Sequence, residues 1–420
     1  MSKEVPISNS RLIIPLICGG NHFFPMKNHR FITTETEPEK FVPAAVDFLK
    51  KHAHDKKVFC ALSGGIDSSA AYLLLKKASI NTIPVFIDHG LMRIIRGKEE
   101  REYIKELFPD VQIIDIRDEF LPQILDEPNA ETKRKLFKKA YSETISRVID
   151  EEDCDLLADG TILPDIEESF GVKITDINET MTVEQEKELL ENNKERFVKS
   201  QHNLNIEYDV EATVQPVASL TKDEVRRVLD FLEMPQKLVY RKAFPGPALA
   251  ARIIGPVSED NLSFEKKVHD ITESCIDDHY IQQHGKSMII NDEDEQEPFQ
   301  TFAATSENVL DRKVTGLVDG RRTYLPAKVD AGEWNYNRLV QDANNLENYA
   351  RLFYQLGTRE TGKYDVIIRS VNSRDARTAS VTELPLSLLE EIKNNIFEIK
   401  EAKNVYFDVT PKPPGTIEYV

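Results

Sequence analysis

The sequence contains few cysteines, and the four that it has are widely separated: Cys18, Cys60, Cys154 and Cys275. No two of them form a CxxC pair, so neither a zinc site nor a disulfide framework is indicated. Long apolar runs are also missing. Residues 12–18 form only a short stretch interrupted by Pro15, which argues against a membrane-spanning helix or a signal peptide. We therefore expect a cytoplasmic protein with free thiols and no membrane association.

Positive charge is scarce as well. The 420 residues include 54 Lys and Arg against 72 Asp and Glu, which gives a formal net charge of −18. Such a charge disfavours broad attraction to DNA, RNA or anionic membranes, so no nucleic-acid partner is expected. It leaves nucleotide binding open, because that needs only local backbone N–H groups and a few cationic side chains. The length is sufficient for two or three domains with cores of their own.

Residues 58–69, with the sequence VFCALSGGIDSS, are the most informative segment. Residues 58–62 are apolar and predict a buried parallel strand, and residues 70–75 predict the helix that follows. Between them, Gly64 and Gly65 let backbone N–H groups surround an anion, which the helix dipole also favours. The Gly-Lys-Ser/Thr ending of the kinase and GTPase phosphate loop is absent. The pattern predicts an anion site of another type, and a tight turn without a ligand is the alternative.

Strand-like and helix-like segments alternate after this loop, an order that predicts a doubly wound parallel sheet. Predicted strands lie at 58–62, 82–88, 111–115 and 154–158, with helices at 41–51, 99–107, 121–125 and 131–149. Ligands bind such sheets at the carboxyl ends of the strands. Asp88 ends the second strand and residues 159–165 follow the fourth, so both should lie on the same rim as the glycine loop. Capped turns are the structural alternative for each.

The pattern of predicted elements changes near residue 246. Longer helices mix with strands such as 364–369 after this point, which predicts a second, α+β domain. We divide the chain into an N-terminal arm (1–40), a nucleotide domain (41–245) and a C-terminal domain (246–420). Residues about 170–205 are rich in Glu, Asn and Lys and predict either a solvated helical insertion or a lid. Residues about 328–363 look like a further insertion within the last domain.

The segment SGGxDSS resembles the pyrophosphate loop of enzymes that split ATP between its α and β phosphates. Further motifs resemble GMP synthetase, in that family's order: GTILPD (160–165) followed by Glu168 and Ser169, TKDEVR (221–226), FPGP (244–247) followed by Leu249 and RIIG (252–255), VDGRRTY (318–324) and KPPGTIEY (412–419). This collinear set covers residues 58–420. NAD synthetase and asparagine synthetase share the loop signature, but the FPGP and terminal motifs argue against both.

The resemblance to GMP synthetase implies a pyrophosphate-loop fold of the adenine nucleotide alpha-hydrolase-like type. It also implies a carbon–nitrogen ligase that converts XMP, ATP and ammonia to GMP, AMP and pyrophosphate with Mg²⁺. The O2 atom of XMP would first be adenylated, and ammonia would then attack C2 and release AMP. Developing charge on the departing phosphate oxygens must be met by backbone donors and a metal ion, so the protein need not supply a nucleophile.

The resemblance also implies roles for individual residues. ATP would be bound by Ser63, Gly64, Gly65, Asp67, Ser68, Ser69, Asp88, Gly160 and Thr161. XMP would be bound by Asp165, Arg252, Lys412, Ile417 and Glu418, with Arg252 and Lys412 neutralising its phosphate and Ile417 and Glu418 lining its base. Asp67 and the lid residue Lys199 would be catalytic, and Asp67 and Asp165 would serve the metal. On sequence alone, Lys199 and Lys412 also fit solvated surface lysines.

Departures from the family pattern concern the ammonia source and the acceptor pocket. The arm before the loop is too short for a glutamine amidotransferase domain, so we expect ammonia from a separate glutaminase subunit or from solution, as in the two-subunit arrangement of many archaea. Lys242 and Ala243 replace the usual His-Pro, and Ala248 replaces a glycine. A divergent enzyme that adenylates another nucleotide or a small carbonyl compound is therefore the second hypothesis, and a non-catalytic nucleotide-binding protein is the third. The resemblance further implies a homodimer formed through the terminal domain.

Overall fold

The computed structural model describes residues 17–19, 36–165, 208–242, 244–285, 289–290, 296–297, 299–318, 320–373 and 378–419. Most of the predicted arm and the predicted lid lie outside the described residues, as do Lys199, Glu168, Ser169 and Ala243. Within the part described, no helix is both long enough and apolar enough to cross a lipid bilayer.

The described residues form two compact units. The first comprises Met1–Ile87, Leu107–Ile114 and Tyr141–Arg241, and the second comprises Asp88–Glu106, Asp115–Ala140 and Lys242–Val420, as far as these ranges are described. The division after Arg241 is close to the predicted boundary at 245. The prediction gave two domains that are each continuous in sequence, whereas each observed unit is made of three separate segments. Two earlier segments join the C-terminal unit because Arg93 pairs with Glu273 at 2.8 Å and Lys133 donates to the carbonyl of Ile253 at 3.0 Å.

The described elements before residue 240 alternate as the sequence predicts. The strands are β1 (Ile17–Gly19), β2 (Lys57–Ala61), β3 (Asn81–Asp88), β4 (Ile94–Ile95), β5 (Lys98–Glu99), β6 (Gln112–Asp115), β7 (Leu156–Ala158) and β8 (Ala212–Val214). The helices are α1 (Pro38–Ala53), α2 (Ile66–Lys77), α3 (Glu100–Leu107), α4 (Arg117–Ile124), α5 (Ala130–Glu152), α6 (Lys222–Phe231) and α7 (Gln236–Val239).

The first sheet has the strand order β1-β8-β7-β2-β3-β6. The pairs β2–β3, β2–β7 and β7–β8 are parallel, and β1 is antiparallel to β8. After the edge strand β1, the chain enters the middle of the sheet at β2, runs outward through β3 to β6, and then returns to build β7 and β8 on the other side. The order therefore reverses between β2 and β7, which is the switch point where doubly wound sheets bind ligands. The predicted doubly wound parallel sheet is confirmed.

Helices α1, α2 and α6 pack against one another in this unit. Helix α1 starts with Pro38, whose fixed φ suits the first helical position. Its buried residues Phe41, Val42, Ala45 and Leu49 repeat at the spacing of one helical face. Helix α6 starts with a capping box, in which Thr221 and the side chain of Glu224 satisfy each other's backbone N–H groups. Position 222 is therefore held at the first turn of a well-defined helix.

The second unit is built on a mixed sheet. Its further strands are β9 (Ile289–Ile290), β10 (Gln296–Glu297), β11 (Phe299–Ser306), β12 (Val314–Val318), β13 (Arg321–Leu325), β14 (Ala327–Asp330), β15 (Arg351–Thr358), β16 (Tyr364–Asn372), β17 (Ser380–Val381) and β18 (Ala402–Asp408). Its further helices are α8 (Glu259–His284), α9 (Tyr336–Asn344) and α10 (Leu386–Phe397). The sheet order is β11-β16-β18-β15-β14, with β17 paired to β16. Helix α8 packs on β11 and on α10, which confirms the predicted α+β class.

The predicted insertion at about 328–363 forms regular structure in the second unit. These residues form most of β14, all of α9 and β15, and the connection to β16. In the sheet, β15 lies between β14 and β18, and Arg351 at its first position is fully buried. The segment therefore contributes strands to the sheet, and its interpretation as an insertion stays a prediction. Its many polar residues are typical of the exposed side of α9 and its loops.

Candidate functional site

The glycine loop joins β2 to α2 and is closed by its own serines. Gly64 has φ 81°, a left-handed conformation that a residue with a side chain rarely adopts. The hydroxyls of Ser68 and Ser69 donate to the carbonyl of Gly65 at 3.2 and 2.8 Å, and the hydroxyls of Ser63 and Ser68 are 3.2 Å apart. The turn is therefore held in one shape at the start of α2, where the first helical N–H groups have no carbonyl partner within the helix.

The loop serines differ in exposure. Ser63 is exposed, whereas Ser69 has no exposed surface. The backbone N–H of Ser69 also donates to Gly65. Ser69 thus supports the loop from within the protein, and Ser63 lies on its open side.

Gly160 brings the end of β7 against this loop. A Cβ atom on Gly160 would lie 2.6 Å from the backbone nitrogen of Ser68 and 2.8 Å from the carbonyl carbon of Asp67. Both are backbone atoms that cannot move without breaking α2, so only glycine fits. Thr161 is buried beside it and donates to Asp159 at 3.3 Å. The predicted juxtaposition of residues 160–161 with the pyrophosphate-type loop is therefore present at the switch point of the sheet.

Asp67 has a cationic partner that sequence analysis missed. The Nζ atom of Lys222, at the start of α6, lies 2.5 Å from Oδ2 of Asp67. The side chains of Lys222 and Asp67 are 40% and 22% exposed, so the pair is open to solvent on one side. The second oxygen of Asp67, Oδ1, is buried and has no hydrogen-bond partner among the described residues. The signal in the sequence is the TKDEVR segment, whose capping box defines the helix start, but nothing in it identifies Asp67 as the partner.

Asp165 uses its carboxylate within its own turn. Its Oδ2 accepts the backbone N–H of Ile162 at 3.0 Å. Within the described ranges, no group of three or more His, Cys, Asp or Glu side chains is arranged to hold a metal ion. A metal site that uses both Asp67 and Asp165 stays a prediction.

Asp88 is the last residue of β3 and belongs to the second unit. It is buried, accepts the N–H of Gly90 at 3.0 Å, and lies 3.3 Å from Arg101 and 3.7 Å from Arg117. Arg117 also pairs with Asp115, and this hydrogen bond lowers the pKa of Asp115 below its usual value. Asp88 thus pairs with two arginines at the end of β3, and its contact with ATP stays a prediction.

Arg252 and Glu418, two of the predicted XMP residues, lie together in the second unit. Arg252 is only 1% exposed, and its Nε is 3.5 Å from Oε2 of Glu418. The guanidinium contacts the faces of two rings, 4.1 Å from the centroid of Phe302 and 4.9 Å from that of Phe244. Its Nη1 is 3.1 Å from Nδ1 of His269, and burial lowers the pKa of His269 to about 4. His269 is therefore neutral and can accept this hydrogen bond, and the cation is held in one orientation.

The terminal segment that carries Ile417 and Glu418 is anchored by a buried ion-pair network. Arg351 lies 3.0 Å from Asp408 and donates to the carbonyl of Glu418 at 2.9 Å. Tyr419 donates its hydroxyl to Asp408 at 2.7 Å. Burial alone would raise the pKa of Asp408, but Arg369 and Arg351 outweigh it and lower that pKa below its usual value. The last residues are thus attached to the sheet although they form no strand of it.

The other predicted terminal residues lie in the same segment. The backbone of Lys412 pairs with that of Ala379, with N–H to carbonyl distances of 2.8 and 3.0 Å. Ile417 is half-buried against the core that contains Phe302 and Tyr419. Residues far apart in the chain, at 252 and at 412–418, are therefore brought into one unit with the side chains of Arg252 and Glu418 adjacent.

Comparison with known proteins shows which family this chain belongs to. The GMP synthase C terminal domain matches residues 339–419. A subunit of the glutamine-hydrolyzing GMP synthase of Methanocaldococcus jannaschii is 32% identical over 391 residues, which are 91% of this chain and 99% of that protein. The corresponding protein of Methanopyrus kandleri is 30% identical over 395 residues, with the same coverage. The chain belongs to the family of these GMP synthase subunits. This membership confirms the predicted resemblance to GMP synthetase and the interpretation as a ligase.

Solved structures show more distant similarity. NMN synthetase from Francisella tularensis aligns with a TM-score of 0.34 at 15% identity, over 53% of this chain and 80% of that one. The NH3-dependent NAD synthetase from Campylobacter jejuni aligns with a TM-score of 0.32 at 19% identity, over 48% and 76% of the two chains. The strand order and the loop geometry described above define the fold of this chain.

Proposed function

We propose that this chain catalyses the ATP-dependent amination of XMP to GMP through an adenylated XMP, with release of AMP and pyrophosphate. The observation that carries the proposal is the closed loop at residues 63–69 against Gly160, at the switch point of the sheet. It occurs in a chain that spans 99% of the length of two related GMP synthase subunits. Helix N-termini and glycine turns of this kind bind phosphate through backbone N–H groups.

In the first step, the O2 atom of XMP attacks the α-phosphorus of ATP, and pyrophosphate leaves. The N–H groups at the start of α2 and the hydroxyl of Ser63 meet the charge on the departing oxygens. Lys222, held next to Asp67 at 2.5 Å, adds a positive charge at the same helix end. Fixed donors of this kind stabilise charge as it develops in the transition state. Ammonia then attacks C2 of the adenylated base and displaces AMP.

Asp67 is the residue that fits a role towards Mg²⁺. Its Oδ1 is buried and has no hydrogen-bond partner within the part of the chain that the structure describes, and a carboxylate oxygen is a ligand that Mg²⁺ prefers. In sites of this kind the phosphates supply further ligands, so a single protein carboxylate is sufficient. When bound, Mg²⁺ would neutralise phosphate charge and make pyrophosphate a better leaving group. Asp67 would orient that charge, and Lys222 would compensate the carboxylate when the metal is absent.

The terminal segment supplies the acceptor pocket in this proposal. Glu418 would face the base, and Arg252 would orient its carboxylate, with Nε of Arg252 3.5 Å from Oε2 of Glu418. Ile417 would pack on the ring of the base. Because Arg252 is almost fully buried against two rings and faces Glu418, we expect Lys412 to be the principal cation for the XMP phosphate. Lys199 in the lid would approach the ATP phosphates.

Partners follow from the same proposal. Ammonia would come from a separate glutamine amidotransferase or from solution. The first source is supported by the names of the two relatives, each of which is one subunit of a glutamine-hydrolyzing GMP synthase. We propose a homodimer formed through the second unit and the cytoplasm as the compartment. Free thiols at Cys60, Cys154 and Cys275 agree with reducing surroundings.

The test is a reconstitution with the purified chain, ATP, Mg²⁺ and XMP. Ammonium should support stoichiometric formation of GMP and pyrophosphate, and glutamine in its place should not. Omission of XMP, and its replacement by IMP or by deamido-NAD, serve as acceptor controls. Pyrophosphate release with another acceptor but not with XMP would overturn GMP synthesis in favour of a divergent acceptor. Binding of ATP without any cleavage would favour a nucleotide-binding role instead.

A further inference from the structure

Lys133 is buried although it is a lysine. It lies in the first turns of α5, within the second unit, and is 1% exposed. Its Nζ lies 2.7 Å from the carbonyl oxygen of Gly255, 3.0 Å from that of Ile253 and 3.4 Å from that of Ala250. One ammonium group thus contacts three carbonyls within six consecutive residues of another segment.

Burying this ammonium group costs desolvation free energy. Within the described residues, no carboxylate lies within ion-pair distance of Lys133. Burial lowers the pKa of Lys133 to about 8, opposed only by the more distant charge of Glu127. An apolar side chain of similar length would avoid this desolvation cost. Stability alone therefore does not explain a lysine at this position.

The three carbonyls belong to the turn that carries Arg252. The turn begins with a short 3₁₀ helix, Ala248–Ala251, in which Ala248 has φ 53°. The left-handed conformation is unfavourable for alanine because its Cβ approaches the following carbonyl oxygen, so the turn needs support from its surroundings. Lys133 provides that support on both sides of Arg252. A second contact is adjacent, since Asp126 N–H donates to the carbonyl of Val257 at 2.8 Å.

The position of this turn determines the position of Arg252 in the acceptor pocket. Arg252 projects from the turn and lies 3.5 Å from Glu418. A displacement of the turn by about 1 Å would separate this pair, and misplacements of that size are enough to impair binding geometry. ATP would be insensitive to such a displacement, because the pyrophosphate-type loop belongs to the other unit.

We propose that Lys133 is a positioning residue for the XMP pocket: its ammonium group fixes the carbonyls of Ala250, Ile253 and Gly255 and thereby holds Arg252 against Glu418. The proposal rests on the proposed function in so far as Arg252 and Glu418 form that pocket. Lys133 touches neither nucleotide and acts through the turn alone.

The test compares Lys133→Met, Lys133→Arg and the control Lys363→Met in the full chain. Lys363 is an exposed lysine of the same unit that pairs with Glu307 at 3.3 Å. Calorimetry measures XMP binding, and steady-state kinetics measures KM for XMP and for ATP separately. We expect Lys133→Met to raise the Kd and KM for XMP roughly tenfold or more, because a displaced turn misplaces Arg252 and Glu418 in the pocket, with the KM for ATP unchanged. Lys133→Arg, which keeps charge and donors, should restore part of the XMP affinity, and Lys363→Met should behave as wild type.

The outcomes separate this proposal from the proposed function. If wild type fails to bind XMP, the proposed function fails, and the positioning role fails with it. If wild type binds XMP but the Lys133 variants that fold bind it equally well, the positioning role alone is overturned. If the KM for XMP and the KM for ATP rise together, Lys133 is merely structural. The same conclusion follows if Lys133→Arg restores no XMP affinity. Should Lys133→Met not fold, Lys133→Arg decides, since its altered geometry must still raise the KM for XMP alone.

Discussion

Replacement of Lys222 by methionine tests the part of the site that the structure revealed. Lys222 and Asp67 form a pair at 2.5 Å, but the two side chains are 40% and 22% exposed. Solvent screens such a pair, so its loss should cost about 1 kcal/mol of unfolding free energy or less. If Lys222 also meets the phosphates of ATP, its loss removes a charged hydrogen bond of roughly 1.5–3 kcal/mol from nucleotide binding. That corresponds to a rise in the KM for ATP of roughly tenfold to 150-fold.

Pyrophosphate release at varied ATP, with XMP and ammonium saturating, measures the kinetic effect, and thermal unfolding measures the stability effect. Lys76→Met is the matched control, because Lys76 forms a similar exposed pair with Asp110 at 2.9 Å in the same unit. We expect small and equal losses of stability in the two variants, with the KM for ATP changed only in Lys222→Met. A Lys222→Met enzyme with wild-type KM for ATP would refute the reasoning, as would a loss of stability much larger than that of the control.

Three further predictions concern other parts of the site. Asp67→Asn should abolish pyrophosphate release and leave the melting temperature nearly unchanged, because it removes charge from a partly exposed position; turnover near that of wild type would contradict the role of Asp67. Lys412→Ala should weaken XMP binding by roughly 1.5–3 kcal/mol in calorimetric titration, as for loss of a charged hydrogen bond, whereas equal weakening of ATP binding would point to a general defect. Glu265 is fully buried, and burial raises its pKa from an ordinary value of 4.5 to about 8. The charge of Glu418 also raises this pKa, whereas the Thr305 hydroxyl and Arg252 lower it. Between these values the folded state binds more protons than the unfolded state, so stability should fall as pH rises from 4.5 to about 8; Glu265→Gln should reduce this slope, and an unchanged pH profile of thermal unfolding would show that Glu265 does not cause it.

Much of the first unit was predictable because its signals are local. The apolar run at residues 58–62, the glycines after it and the helix at 66–77 are neighbours in sequence, and backbone preferences decide their structure. Gly160 was found through its motif, and the structure adds the reason, a Cβ distance of 2.6 Å to the backbone of Ser68. The boundaries of the units were harder to predict, because segments 88–106 and 115–140 join the second unit through side-chain contacts with residues far along the chain.

The amino-acid sequence by itself determined the order of strands and helices, the position of the pyrophosphate-type loop and the family, since these depend on short patterns repeated in order. Only the tertiary structure decided which charged side chains meet. Lys222 and Asp67 are separated by 155 residues and Lys133 and Ile253 by 120, and a sequence pattern specifies no partner at that range. The structure also decided that residues 328–363 belong to the sheet and that Arg252 faces Glu418. Whether a lysine or arginine is a solvated surface group or a buried structural cation depends on desolvation and on the groups around it, and these exist only in the folded chain.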